Sequence, residues 1–166
     1  MRRFVVLIGI LMLALPAGAG ALKGGPGDGT LVVEHAQGVI TLAVRGGIIG
    51  RFDQGTLVVV DSSPGTGAAP IVRGYQQKTA VGPKRMEYSG EGDIRFRLIG
   101  GFYRVRISAI GIDLSVVGRG TTTLDSSGFS DDPGRFSINA GPFQSMPDGP
   151  ARFTIGQPLP APTGDK

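Results

Sequence analysis

Apolar and polar residues alternate through most of this chain, and the alternation is punctuated by glycine. From Gly29 to Asp61 it reads GTLVVEHAQGVITLAVRGGIIGRFDQGTLVVVD, with glycines every eight or nine residues between β-branched runs. Ile40, Leu42 and Val44 share one face of an extended chain, and no glycine-free stretch of ten residues carries apolar positions at helical spacing. This is the spacing of short strands joined by tight turns. No helix is expected from Gly29 onward.

Alternation is strongest in DIRFRLIGGFYRVRISAIGIDLSVV, Asp93 to Val117. A two-residue turn at Gly100-Gly101 would pair Leu98 with Tyr103, Arg97 with Arg104, Phe96 with Val105 and Arg95 with Arg106. A second turn at Ala109-Ile110 would set Arg106 against Asp113 and Asp93 against Ser108. One face is then apolar, and the other carries Arg95, Arg97, Arg104 and Arg106.

Elsewhere, Pro70 to Tyr75 and Lys78 to Val81 read as short strands, and 62–69 and 125–134 as loops rich in proline, glycine and small polar residues. Arg135 to Asn139 and Arg152 to Ile155 are expected to form a closing pair. A shift of 63 matches Leu31 with Ile94, Val33 with Phe96, Gly38 with Gly101 and Leu42 with Val105, which points to two related four-strand units, 29–63 and 92–127. The expected core comprises Leu31, Val33, Ile40, Leu42, Val44, Ile94, Phe96, Leu98, Tyr103, Val105, Ile107, Ile112, Leu114 and Val116. Without helices, sheet must cover sheet. The expected fold is all-β, an antiparallel β-sandwich or closed barrel of about eight to eleven short strands, with a β-solenoid as the alternative.

The N-terminus changes the picture of where the chain works. Arg2 and Arg3, an apolar run from Phe4 to Leu15 and small residues up to Ala21 form a secretory signal, cleaved after Ala21 or after Ala19. The run is shorter than the roughly 20 residues that span a bilayer, so no membrane span is expected after cleavage. The expected organisation is a signal peptide at 1–21, a flexible linker at 22–28, one β domain at 29–157 and a proline-rich tail at 158–166. Loss of Arg2 and Arg3 leaves 15 basic and 13 acidic residues of the original 17 and 13, so the basic excess is small and no nucleic-acid footprint is present. The chain has no cysteine, so a secreted form relies on its core rather than on disulfides.

The arginine face is the sharpest candidate for chemistry. Like charges set across a strand pair repel by a few tenths to about 1 kcal/mol, which an anionic partner would offset. Arg95, Arg97, Arg104 and Arg106, with Phe102 at the turn end for stacking, form the candidate anion site, facing an anionic envelope polymer; a solvated outer face is the plainer reading. His35 is the only histidine; it is expected to be partly buried beside Ile40, and it lacks the companion ligands of a zinc site. Asp125, Asp131 and Asp132 could gather calcium, but turn chemistry accounts for them better, and Asp61 and Asp125 read as Asx turns. Gly118-Arg119-Gly120 reads as a turn. No catalytic residue, metal site or cofactor is expected.

IRFRLIGGFYRVRI, the following GIDLSVVGRG and the closing RFSINAGPF resemble a pattern of uncharacterised secreted bacterial proteins of high glycine content. The resemblance spans Gly29 to Gly156 and implies a secreted all-β protein, with no ligand attached. The chain is thus expected to be an exported, non-enzymatic β domain, secreted or in the periplasm or cell envelope, acting as a binding or structural module. The alternatives are a secreted hydrolase and a β subunit that assembles with itself or with another protein.

Overall fold

The structure is a computed structural model that describes residues 24–63, 68–129 and 132–157. The segments read as signal peptide and proline-rich tail lie outside the described residues. The chain is all-β: β1 (Gly29–Asp61), β2 (Ala68–Arg73), β3 (Gln77–Gly82), β4 (Arg85–Asp125), β5 (Arg135–Ile138), β6 (Gln144–Ser145) and β7 (Ala151–Ile155). They form one antiparallel sheet that is not closed into a barrel and is sandwich-like.

Two strands supply most of it, with 33 residues in β1 and 41 in β4. Straight strands of that length would extend beyond 100 Å, so they must bend, and their pairing shows how. Ile40 has Ile107 on one edge and Leu124 on the other, while Ile107 lies between Ile40 and Leu57. Ile40 and Leu57, 17 residues apart in β1, are therefore only two strand spacings apart, about 10 Å. The β1–β4 ribbon winds on itself once every 17 residues of β1 and every 17–19 of β4. β2 and β3 extend one edge of this wound ribbon, and β5, β6 and β7 the other.

Glycine makes the winding possible. Gly29, Gly118, Gly46 and Gly101 stand side by side across four neighbouring passes of the ribbon, and Gly90, Gly55, Ala109 and Gly38 form a second such row. A Cβ on Gly46 would overlap the carbonyl oxygen of Val117, and one on Gly118 that of Arg45. Such contacts mark sharp bends where backbones approach closely. Two rows per 17-residue turn give the eight-to-nine-residue glycine spacing. The glycines thus crease continuous strands instead of joining short ones, which is why the described residues form seven strands and not eight to eleven. Gly118 and Gly120 belong to the interior of β4 and are not turns.

The same correction applies to the expected hairpin. Gly100-Gly101 and Ala109-Ile110 lie inside β4, where the alternation of buried and exposed residues reverses near Gly100 (φ 80°) and Gly111 (φ 67°). These are bulges, at which an extra residue exchanges the two faces. Every expected core residue is buried, joined by Ile48, Phe52, Leu57, Val59, Tyr88, Leu124 and Phe136 among others in one apolar cluster. The sheet curls over its own apolar face. β5 and β7 do not pair with each other: β5 pairs with β1 and β6, and β7 with β4.

The pairing has an internal correspondence. Shifting β1 numbers up and β4 numbers down by 63 carries the pair Ile40 and Leu124 onto Tyr103 and Asp61, and Leu57 and Ile107 onto Gly120 and Val44; both pairs are present.

Candidate functional site

The winding distributes the four arginines along one strand. Arg97 faces Ile49 and Ile71, Arg104 faces Ala43 and Val60, and Arg106 faces Thr41 and Val58. Arg97 and Arg104 are not partners; the crease at Gly101 lies between them, with Arg97 in register with Ile49 and Arg104 with Ala43. All four side chains are exposed on the outer face, as their parity requires. Phe102 is half-buried beside Gly101, in register with Arg45, with its carbonyl accepting a hydrogen bond from the Ser62 N–H at 3.0 Å. It stands at a crease, not at a turn end.

Arg95 belongs to a separate charged row. Across the sheet, Arg73, Arg95, Arg51 and Asp113 occupy successive positions. Arg51 donates from Nε to Asp113 Oδ2 at 2.9 Å, with Nη2 at 2.8 Å from the same oxygen. Asp113 Oδ1 accepts the backbone N–H of His35 at 2.9 Å, stapling a bulge at which His35 has φ 51°. The His35 side chain is 83% exposed, with Nδ1 3.9 Å from Asp113. The bulge turns it outward, so the expected partial burial is wrong. Asp113 likewise faces Arg51 and not Arg106, and Ser108 faces Val39 and Thr56 and not Asp93.

Asp93, two residues before Arg95 in β4, joins this charged group. Its Oδ2 lies 2.5 Å from Arg95 Nη2, and that hydrogen bond holds the carboxyl below its ordinary range. Oδ1 accepts no hydrogen bond; Arg51 Nη1 stands 3.8 Å away, near enough for ionic attraction only. The Asp113 hydrogen bond, followed by its charge, raises Arg51 above the usual guanidinium value. A carboxyl depressed on folding contributes stability that is complete above the unfolded value near 4 and is lost as pH falls through the folded value. Thermal midpoints should therefore hold steady from neutral pH down to about 5 and drop below about 4. Asp93→Asn should make that acid drop shallower; an unchanged slope would remove Asp93 from the account.

Arg104 and Arg106 sit in a different setting. One row across the sheet runs Arg85, Val60, Arg104, Ala43, Thr121, Thr154; the next runs Glu87, Val58, Arg106, Thr41, Thr123, Arg152. No carboxylate among the described residues lies within 4.0 Å of Arg97, Arg104, Arg106 or Arg152, whereas Arg51, Arg95, Arg119 and Arg135 all have one. The threonines escaped sequence reading. The run Thr121-Thr122-Thr123 was visible, but nothing in it told that Thr123 lies one strand from Thr41 and two from Arg106.

The acidic turns behave as read. Asp61 Oδ1 accepts the N–H of Ser63 at 3.0 Å, and Asp125 Oδ1 accepts both the N–H and the hydroxyl of Ser127, at 3.0 and 2.6 Å; the Ser127 hydroxyl lowers the Asp125 carboxyl. Asp131 lies outside the described residues. A shallow open depression where the chain enters and leaves the domain is lined by Asp28, Thr30, Asn139 and Gln157, among others. Its polar groups are largely engaged in tying the ends together: Asn139 bonds Gly156 and Thr154, the Gln157 N–H bonds Gly27, and Arg119 holds Asp28 and Pro26. The lead-in is thus pinned from Gly25 onward. Compared with protein families, with curated proteins and with solved structures, the chain matches none.

Proposed function

We propose that this chain is an exported, non-enzymatic binding module of the cell envelope or extracellular space, whose outer sheet face takes an anionic polymer. The observation that carries this reading is the contrast between Arg95, neutralised by Asp93, and Arg97, Arg104 and Arg106, exposed without a carboxylate within 4.0 Å among the described residues. Unpaired guanidiniums held on a rigid sheet are ready to form charge-assisted, bidentate contacts with an anion. The signal-like N-terminus supports export. His35 offers little to a hydrolase, because Arg51 already engages the carboxylate beside it.

Replacing Arg97 and Arg104 together by glutamine tests this. Retention on a heparin or cell-wall-polymer matrix, measured at two salt concentrations, should weaken and lose part of its salt dependence. Unchanged retention would overturn the reading.

A second reading, a β subunit that assembles with itself or with a partner, is favoured by β3. All six of its residues are exposed, β4 pairs with one of its edges, and Ile71 and Val81 on the same rim are 46% and 43% exposed. Such an edge can accept another strand, and a mass that rises with concentration would favour this reading. The 63-residue correspondence in sequence and pairing further supports origin by duplication of one ribbon half.

A further inference from the structure

Resting on the anionic-polymer reading, we infer that the polymer is a carboxylate-bearing polysaccharide and that it lies across the patch formed by Arg104, Arg106, Thr41, Thr121, Thr123 and Arg152. Four passes of the sheet bring these residues together. Arg106, Thr41, Thr123 and Arg152 are successive cross-strand neighbours, and Arg104, Ala43, Thr121 and Thr154 lie beside them. The buried residues Val105, Ile107, Leu42, Thr122 and Leu124 alternate with them along the strands, so the patch faces outward. Arg104 and Arg106 lie at one end and Arg152 at the other, on strands three spacings apart, about 14 Å between backbones.

The chemistry between the arginines identifies the ligand. Thr41, Thr121, Thr123 and Thr154 make no side-chain hydrogen bond to another described residue, so their hydroxyls are open to a ligand. Each hydroxyl can donate and accept. A sugar chain presents hydroxyls that do both, with carboxylates for the guanidinium forks at either end. A polyphosphate offers acceptors only. Ala43 keeps the centre low, and half-buried Phe102, two residues along from Arg104 on the same side, adds an apolar contact for a sugar face. The patch is the outer face of a curled sheet, so it suits an extended chain laid over it.

The experiment compares polygalacturonate, a carboxylate polysaccharide, with inorganic polyphosphate at fixed ionic strength, using the full chain. The wild type should bind polygalacturonate. Thr41→Val, Thr121→Val and Thr123→Val combined should weaken that binding about tenfold, as the loss of three modest hydrogen bonds implies, and leave polyphosphate within about twofold. The corresponding Thr→Ser triple variant keeps the hydroxyls and should bind polygalacturonate like the wild type. Arg104→Gln with Arg106→Gln and Arg152→Gln should weaken binding of both polymers, whereas Arg95→Gln should change neither. Unchanged polygalacturonate binding in the valine variant, equal loss in the serine variant, or wild-type binding of polyphosphate alone would overturn this inference and leave the anionic-polymer reading standing. Absence of wild-type binding to either polymer, or glutamine variants that bind both as before, would overturn the two together.

Discussion

Gly46→Ala is expected to cost about 4 kcal/mol or more of unfolding free energy, enough to unfold a domain of ordinary stability. Gly46 has φ 148°, a region that side chains rarely adopt, and an added methyl would overlap the carbonyl oxygen of Val117. Relief by local movement is blocked, because Gly101 and Gly118 flank it on both edges and Gly118 is itself paired with Gly29 on its far edge. Strain and overlap therefore act together. Gly92→Ala separates them. Gly92 also has positive φ, 89°, but nothing lies within 4 Å of its added Cβ, so strain alone should cost about 1 kcal/mol. Urea unfolding of the two variants reads the difference directly. If Gly46→Ala proves no more harmful than Gly92→Ala, the creased-ribbon account of the fold fails.

Phe52→Ala should follow closely, with a loss of about 3–5 kcal/mol. Phe52 is fully buried, its ring centroid 6.4 Å from that of Phe96, and it lies opposite Ile94 where the ribbon turns. Its ring partner Phe96 is paired on both edges, with Gly50 and Val72, so the cavity left by the ring would not readily collapse, and its volume would count against the folded state. Phe129 supplies the comparison: it is 39% exposed in the turn after β4, and Phe129→Ala should lie within about 1 kcal/mol of the wild type. Equal midpoints for the two variants would show that the core does not converge on Phe52.

The inward and outward faces could be read from the sequence, whereas the path of the chain could not. Leu98 and Tyr103 share a face whether Gly100-Gly101 is a hairpin turn or a bulge, since both reverse the alternation. Periodicity assigns the same residues to the core in either case, and for that reason every expected core position proved buried. The choice between turn and bulge rests on whether Arg104 finds Arg97 or Ala43 beside it, a long-range fact with no local signature. The eight-to-nine-residue glycine spacing was likewise visible, but a crease and a loop require the same residue for the same steric reason. His35 failed for a related cause: the bulge that turns it outward depends on a carboxylate 78 residues away in β4. The threonine–arginine patch draws on four separate passes, so only the winding assembles it.

A wound ribbon also constrains how the molecule comes into being. Leu31 meets Val116 and Ile40 meets Leu124, so the rungs of the first half of β1 wait for segments synthesised much later, and that half cannot bury its own oily side early. Proteins dominated by such distant pairings fold in milliseconds to seconds, not microseconds. During that interval β1, with 33 residues and no mate, is the species most exposed to aggregation, and a chaperone that shields it until β4 arrives would raise the yield of native protein more than one that acts on the finished domain.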